Sequence, residues 1–267
     1  MVRVRLHGAQ GPSVAVLHGG PAAVGEAEPI ARGLADRFRV LEPWQRGSGS
    51  QPLTVARHVA DLDALLAAHC RDDRVGLVGA SWGAMLALAY AADHPGRVRA
   101  IVLIGCGTFE PTARERMREI LRERMDERLR ARMASLREEI PDPQQRLARQ
   151  YELMRPLYEF DPLPEETPAG PAESLDVRAH AETWEDMLRL QRNGAYPAAF
   201  ARIPAPVLML HGAFDPHPGR MIRDHLRGHL PQLAYREWAA CGHSPWRERR
   251  VRAAFFETLR TWLTEQL

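Results

Sequence analysis

A chain of 267 residues with three cysteines and a formal net charge of +2 is long enough for one large domain, or one domain carrying an insertion, whose core needs no disulfides. Hydrophobic residues at 45% and charged residues at 26% are ordinary for a soluble globular protein, and the near-balanced charge creates no general field for nucleic acid. All 36 basic residues are arginine; because acids offset them, this reads as the codon usage of a GC-rich genome, not as an arginine-specific role.

Cys70, Cys106 and Cys241 are far apart and form no C-x-x-C pair, so neither a disulfide framework nor a zinc site is expected. The first twenty residues, "MVRVRLHGAQGPSVAVLHGG", hold no apolar leader core. No stretch approaches 18 uninterrupted apolar residues. A cytoplasmic protein with no membrane partner is the expectation.

In chain order, "VRVRL" (2–6) and "SVAVLHG" (13–19) are strand candidates around the turn cluster "GAQGPS". A helix is expected over 26–37, a strand over 38–43 and a loop over 43–52. Thr54 stands as N-cap to the amphipathic "VARHVADLDALLAAHC". "RVGLVGA" (74–80) is a strand, a helix runs from about Trp82 to His94, and "RAIVLIG" (99–105) is the next strand. Alternation of this kind predicts a doubly wound, mostly parallel sheet with crossover helices, and uninterrupted apolar runs such as "IVLIG" fit strands buried on both faces.

From about 107 to 200 the strand signal stops. Met117, Leu121, Met125, Leu129, Met133, Leu136 and Ile140 recur three or four apart, which predicts one amphipathic helix over 114–140 with a solvated Arg/Glu outer face. A Pro-rich loop (161–171) and a helix over 181–193 follow. The α/β rhythm returns with a strand and loop at 205–215, a helix at 219–230, a strand at 233–238 and a closing helix at 251–263. The expected division is a core of residues 1–106 and 204–267 with a helical cap, 107–203, inserted between its halves.

Gly79-Ala80-Ser81-Trp82-Gly83 fits G-x-S-x-G where a strand ends and a helix begins, the context in which a serine becomes an exposed nucleophile on a sharp turn. A serine hydroxyl needs a base to attack a carbonyl. His243, in "CGHSPW", and Asp215, in "HGAFDPH", both lie just past later strands, at the strand ends where open α/β sheets build their sites. Ser81, Asp215 and His243 therefore form a candidate triad in the chain order Ser…Asp…His. Upstream, "VLHGGPA" (16–22) also follows a strand. The backbone N–H groups of Gly20 and Trp82 are the candidate oxyanion donors. His18 and His211 read as structural residues of "HG" turns. His225 and His229 are four apart on an expected helix without an H-E-x-x-H glutamate, and read as a solvated face, not metal ligands.

"HGGP" (18–21), "QRGSG" (45–49) and "GASWGAMLALAYAADHPGRV" (79–98) resemble the oxyanion loop, the DQRGxGxS loop and the GxSWG elbow of the α/β-hydrolase family, most closely its proline iminopeptidase branch. Asp215 and His243 match that family's GxxD and GH positions. Ala22, Trp44 and Gln51 stand where the branch has glycine, aspartate and serine. The resemblance implies the α/β-hydrolase fold, and the short segment ahead of "HGG" implies that the first edge strand is missing, leaving about seven strands. It also implies a serine hydrolase working through an acyl-enzyme on a small ester, amide or short peptide, with no metal or cofactor. An N-terminal-residue (prolyl-type) aminopeptidase is the favoured version. A carboxylesterase or lactonase is the alternative, and a C–C bond hydrolase uses the same triad. A non-catalytic small-molecule receptor on the same fold is the reading from another class. In the branch, cap acids hold the substrate's free amine; Trp184, Glu182 and Glu185, with neighbouring Asp186, are the cap candidates here.

Overall fold

The computed structural model describes residues 2–21, 23–70, 74–164 and 175–267. Seven strands form one sheet: β1 (Val4–His7), β2 (Ser13–Leu17), β3 (Arg39–Pro43), β4 (Val75–Ala80), β5 (Val98–Ile104), β6 (Val207–Gly212) and β7 (Leu233–Trp238). Their order is β1-β3-β2-β4-β5-β6-β7. Only β1 runs antiparallel, on β3; every other pairing is parallel. Seven strands in a mostly parallel sheet is the expected fold.

Each inner strand divides its side chains between two cores, as the two-residue period requires. Ala15, Leu17, Leu77, Ile101, Leu103 and Met209 face one side. There α2 (Val55–Cys70), α3 (Trp82–Asp93) and α8 (Gly219–Arg227) pack. Val14, Val16, Val78, Val102, Ile104 and Leu210 face the other, covered by α1 (Glu28–Leu34) and α9 (Arg252–Gln266). α3 is buried along its whole length to Ala92, which explains why its sequence is almost all apolar or small. The three cysteines are buried and unbonded to one another.

Between β5 and β6 lie only helices among the described residues: α4 (Pro111–Arg124), α5 (Glu127–Glu139), α6 (Pro143–Met154) and α7 (Val177–Arg192), with short 3-10 turns. The single helix expected over 114–140 is two. Met125 is extended, and the Asp126 carboxylate accepts from Leu129 N at 2.7 Å, so Asp126 starts a new helix as N-cap. α6 was not foreseen. Most of the Pro-rich loop expected over 161–171 lies outside the described residues. α8 ends at Arg227, so His225 is helical and His229 is not; His225 sits 3.4 Å from Glu110.

The insertion is tied to the core by carboxylates. Thr54 caps α2 through Arg57 N, and α7 supplies two further acceptors. Glu182 accepts from Leu53 N at 2.8 Å and Asp186 from Val55 N at 2.9 Å. Thr183 Oγ1 meets the buried His58 Nε2 at 2.9 Å. Asp176, the N-cap of α7, also accepts from Ser48 N and Ser48 Oγ. One face of α7 thus satisfies N–H groups that the start of α2 cannot pair internally. Asp186→Ala is expected to lower the unfolding free energy by about 1 kcal/mol, read from urea denaturation followed by circular dichroism.

Candidate active site

The elbow begins with the backbone of Ser81, the one non-glycine residue with positive φ among those described, at φ 53° and ψ −116°. Such a conformation costs on the order of 1–3 kcal/mol and persists only where its surroundings enforce it. Ser81 N is fixed to Ile104 O at 2.8 Å. The flanking glycines allow the contacts that hold the turn: a Cβ on Gly79 would lie 2.2 Å from Gly83 O, and one on Gly83 would lie 2.2 Å from Leu17 O. The backbones of β4, α3 and β2 therefore touch where any other residue would part them.

Three sequence stretches meet beside this turn. The buried Trp82 indole donates to Gln45 Oε1 at 2.7 Å, and Gln45 Nε2 donates to His18 O at 3.1 Å. Gln45 N donates to His18 Nε2 at 3.2 Å, and His18 Nδ1 bonds Gly19 O at 2.9 Å. A carbonyl only accepts, so His18 carries its proton on Nδ1. Burial pushes the His18 imidazole down to about 4, keeping it neutral. His18 is structural, as expected from the sequence, and Gln45, which local pattern did not single out, is the hub. The backbone N–H groups of Gly20 and Trp82 have no hydrogen-bond partner among the described residues, with Gly20 at φ 111° and Trp82 opening α3.

Asp215 and His243 are brought together. His243 Nδ1 donates to Asp215 Oδ2 at 2.6 Å, leaving Nε2 as the other ring nitrogen. Both follow strands on the β4–β7 side of the sheet, at the same edge as Ser81. Gly105, next to the carbonyl that holds Ser81, packs against the imidazole: a Cβ there would meet His243 Nδ1 and Cε1 at 3.0 Å. No hydrogen bond joins Ser81 Oγ to His243 among the described residues; such bonds are often long before substrate arrives.

Asp215 has more partners than a triad requires. Its Oδ1 accepts from His217 N and His217 Nδ1, both at 2.9 Å. His211 Nε2 lies 3.3 Å from Oδ2 while bonding His217 O at 2.9 Å. The imidazoles of His217 and His243 stack at 4.8 Å, with the Tyr158 ring against both. Burial alone would raise the Asp215 carboxyl; His243, His217 and His211 outweigh it and hold the group well below the usual carboxylate range. For His243, burial pulls down, and Asp215 together with Glu26 pulls harder upward, so the imidazole lies above its ordinary value. Sequence reading missed His217, although its place two residues after Asp215 was a signal. Asp215, His217 and His243 are also residues of metal-ligating type whose donor atoms lie within 4.8 Å of one another, with both imidazoles already directed at the carboxylate.

The cap candidates lie elsewhere in the architecture. Glu182 holds Leu53 N and Arg178. Trp184 is partly buried against the α2/α3 core. Glu185 is exposed, with no hydrogen bond or ion pair among the described residues.

Comparison with known proteins bears on the family and the fold. Residues 12–246 match the family model described as alpha/beta hydrolase fold. A proline iminopeptidase of Neisseria gonorrhoeae is 36% identical over 117 residues, covering 41% of this chain and 37% of that protein; the match thus spans just over a third of the relative's length. Among solved structures, a thermophilic esterase from Thermogutta terrifontis superposes with a TM-score of 0.66 at 20% identity, covering 99% of this chain and 93% of that one. The enol-lactonase from Burkholderia xenovorans LB400 gives 0.63 at 19% identity, with coverage of 98% and 96%. These two likenesses concern the fold. No helix among the described residues is long and apolar enough to cross a membrane.

Gln45→Ala leaves the buried Trp82 Nε1–H and the His18 carbonyl without partners. It is expected to lower stability by about 2 kcal/mol or more, measured as a shift of the urea midpoint at unchanged slope.

Proposed function

The chain belongs to the alpha/beta hydrolase family, and from that membership we propose a serine hydrolase that forms an acyl-enzyme on Ser81. The observation that carries the reading is the strained Ser81 backbone at the mouth of α3, with two unpaired N–H groups available beside it. Ser81 Oγ attacks the carbonyl carbon of a small ester or amide while His243 Nε2 takes its proton. The carbonyl π electrons move to oxygen, and Gly20 N–H and Trp82 N–H stabilise that oxyanion. The intermediate collapses, the bond to the leaving group breaks, and His243 returns the proton to it. Water, deprotonated by His243, then attacks the acyl-enzyme and frees Ser81. Asp215 keeps the imidazole proton on Nδ1 and stabilises the imidazolium of both steps.

The helical insertion is proposed as a cap that selects substrate and limits water. Similarity to proline iminopeptidases favours cleavage of an N-terminal residue. A carboxylesterase or lactonase activity is favoured by a different observation: Glu182 and Asp186, cap acids of the kind that hold an amine, are engaged by backbone N–H groups of the core.

A fluorophosphonate is expected to label wild type and not Ser81→Ala; equal labelling of the two overturns the nucleophile, and the hydrolase with it in favour of a receptor. On a panel of p-nitrophenyl esters beside aminoacyl anilides, including a prolyl anilide, the peptidase version requires anilide turnover.

The pH profile follows from His243. The base acts only when neutral, so activity rises with pH through its raised value. The acid limb of kcat/KM on a neutral ester is expected above the ordinary histidine value of about 6.5. Asp215→Asn removes the charge that lifts it; the limb moves down and kcat falls on the order of 10⁴-fold.

A further inference from the structure

The loop after β2 brings a second acidic group to the nucleophile. Ala23 N donates to Gly19 O at 3.4 Å and Glu26 N to Ala23 O at 3.2 Å, so the chain turns back and lays the Glu26 side chain over Gly19. A Cβ at Gly19 would sit 3.0 Å from Glu26 Oε2 and 3.2 Å from Ser81 Cβ. The carboxylate oxygen and the nucleophile's Cβ therefore flank one small space, no farther apart than those two distances together. The Glu26 carboxylate has no hydrogen bond or ion pair among the described residues, and the residue is open to solvent although protein crowds around it.

An unpartnered carboxylate here opposes catalysis. The carbonyl oxygen gains negative charge as it is attacked, and a fixed anion close by destabilises that charge. His243 and Arg247 lie within the field of Glu26, but Arg247 is already 3.1 Å from Glu159, and His243 is neutral when it begins its work as base. A substrate that brings its own cation removes the opposition.

We propose that Glu26 is a specificity determinant for acyl substrates bearing a positive charge, such as a free amine, beside the scissile carbonyl. Its carboxylate accepts hydrogen bonds from the ammonium while Ser81 attacks two bonds away. The amine is thus recognised from the core loop that also carries the oxyanion donor, not from α7, whose acids serve α2. Burial raises the Glu26 carboxyl, against the pull of His243 and Arg247, and an arriving ammonium restores the charged form. This inference rests on the serine-hydrolase reading above.

The test uses the full chain and two 2-naphthyl esters of the same shape, alanyl (cationic at pH 6.5) and isobutyryl (neutral). The readout is the ratio of their kcat/KM values. Wild type is expected to favour the alanyl ester. Glu26→Gln is expected to lower the ratio about tenfold or more, as the loss of a charge-assisted hydrogen bond does, and Glu26→Asp is expected to fall between. Rates of Ser81 labelling by an aminoalkyl phosphonate and its alkyl counterpart give the same ratio without turnover. A ratio unchanged in Glu26→Gln, including a parallel fall on both substrates, overturns this inference alone, as does wild-type preference for the neutral member of each pair. A wild type that labels with neither phosphonate overturns the serine-hydrolase reading, and the inference falls with it.

Discussion

The positive φ of Ser81 is the constraint on which the rest of the site is arranged. A left-handed serine is unfavourable by itself, so the turn exists only because β4 and β5 pin its two ends and α3 leaves it at once. The close approach of Gly83 to Leu17 O fixes α3 against β2. That contact sets where the following loop begins, and with it the Gly20 N–H. Geometry at one residue thus dictates the neighbour relations of three elements.

Polar bonding completes what packing begins. Gln45 joins the indole of Trp82 to the carbonyl and imidazole of His18, so the elbow, the loop after β2 and the loop after β3 are tied together. On the other side, a single carboxylate gathers three imidazoles. Asp215 is buried, yet the donors around it keep it ionised, and an ionised Asp215 is what gives His243 a fixed tautomer and a raised basicity. His217 divides the attention of that carboxylate: it takes Oδ1 and leaves Oδ2 to His243, so the two imidazoles share the acid without competing for one oxygen.

The core was legible because it is written in local patterns. Apolar runs such as "IVLIG" carry their own strand signal, and Thr54 and Pro95-Gly96 mark helix boundaries within a turn of where they lie. The candidate site was legible through the same grammar, since Ser81, Asp215 and His243 each follow a recognisable strand. What escaped was set by partners distant in sequence. Nothing near Gln45 announces that Trp82, 37 residues on, will bond it. Glu182 read as a cap acid free for substrate, because its acceptor role depends on Leu53 N, 129 residues away. The 114–140 helix was misread for a local reason: the apolar period continues through Asp126 in register, and periodicity outvoted a capping residue in the middle of the run.

Acidic residues around the site divide by what they satisfy. Glu248, almost fully buried, accepts from Phe160 N, Asp161 N and Gly242 N, so it binds the segment after α6 to the loop that carries His243, and His243 N itself bonds Tyr158 O at 2.7 Å. Asp176, Glu182 and Asp186 do the same for α7 and α2. α4, α5 and α6, which precede both anchorages in the chain, bury little: Ala113 and Leu121, then Leu136, then no residue at all. Apolar burial is what makes local opening costly, so the insertion is held by charge from residue 160 onward and more weakly over α4 to α6. The Glu26 carboxylate differs from these because it bonds no group among the described residues. The carboxylates named above spend their charge on backbone N–H groups, whereas Glu26, open to solvent beside Ser81, keeps its charge for a group that the described residues do not supply.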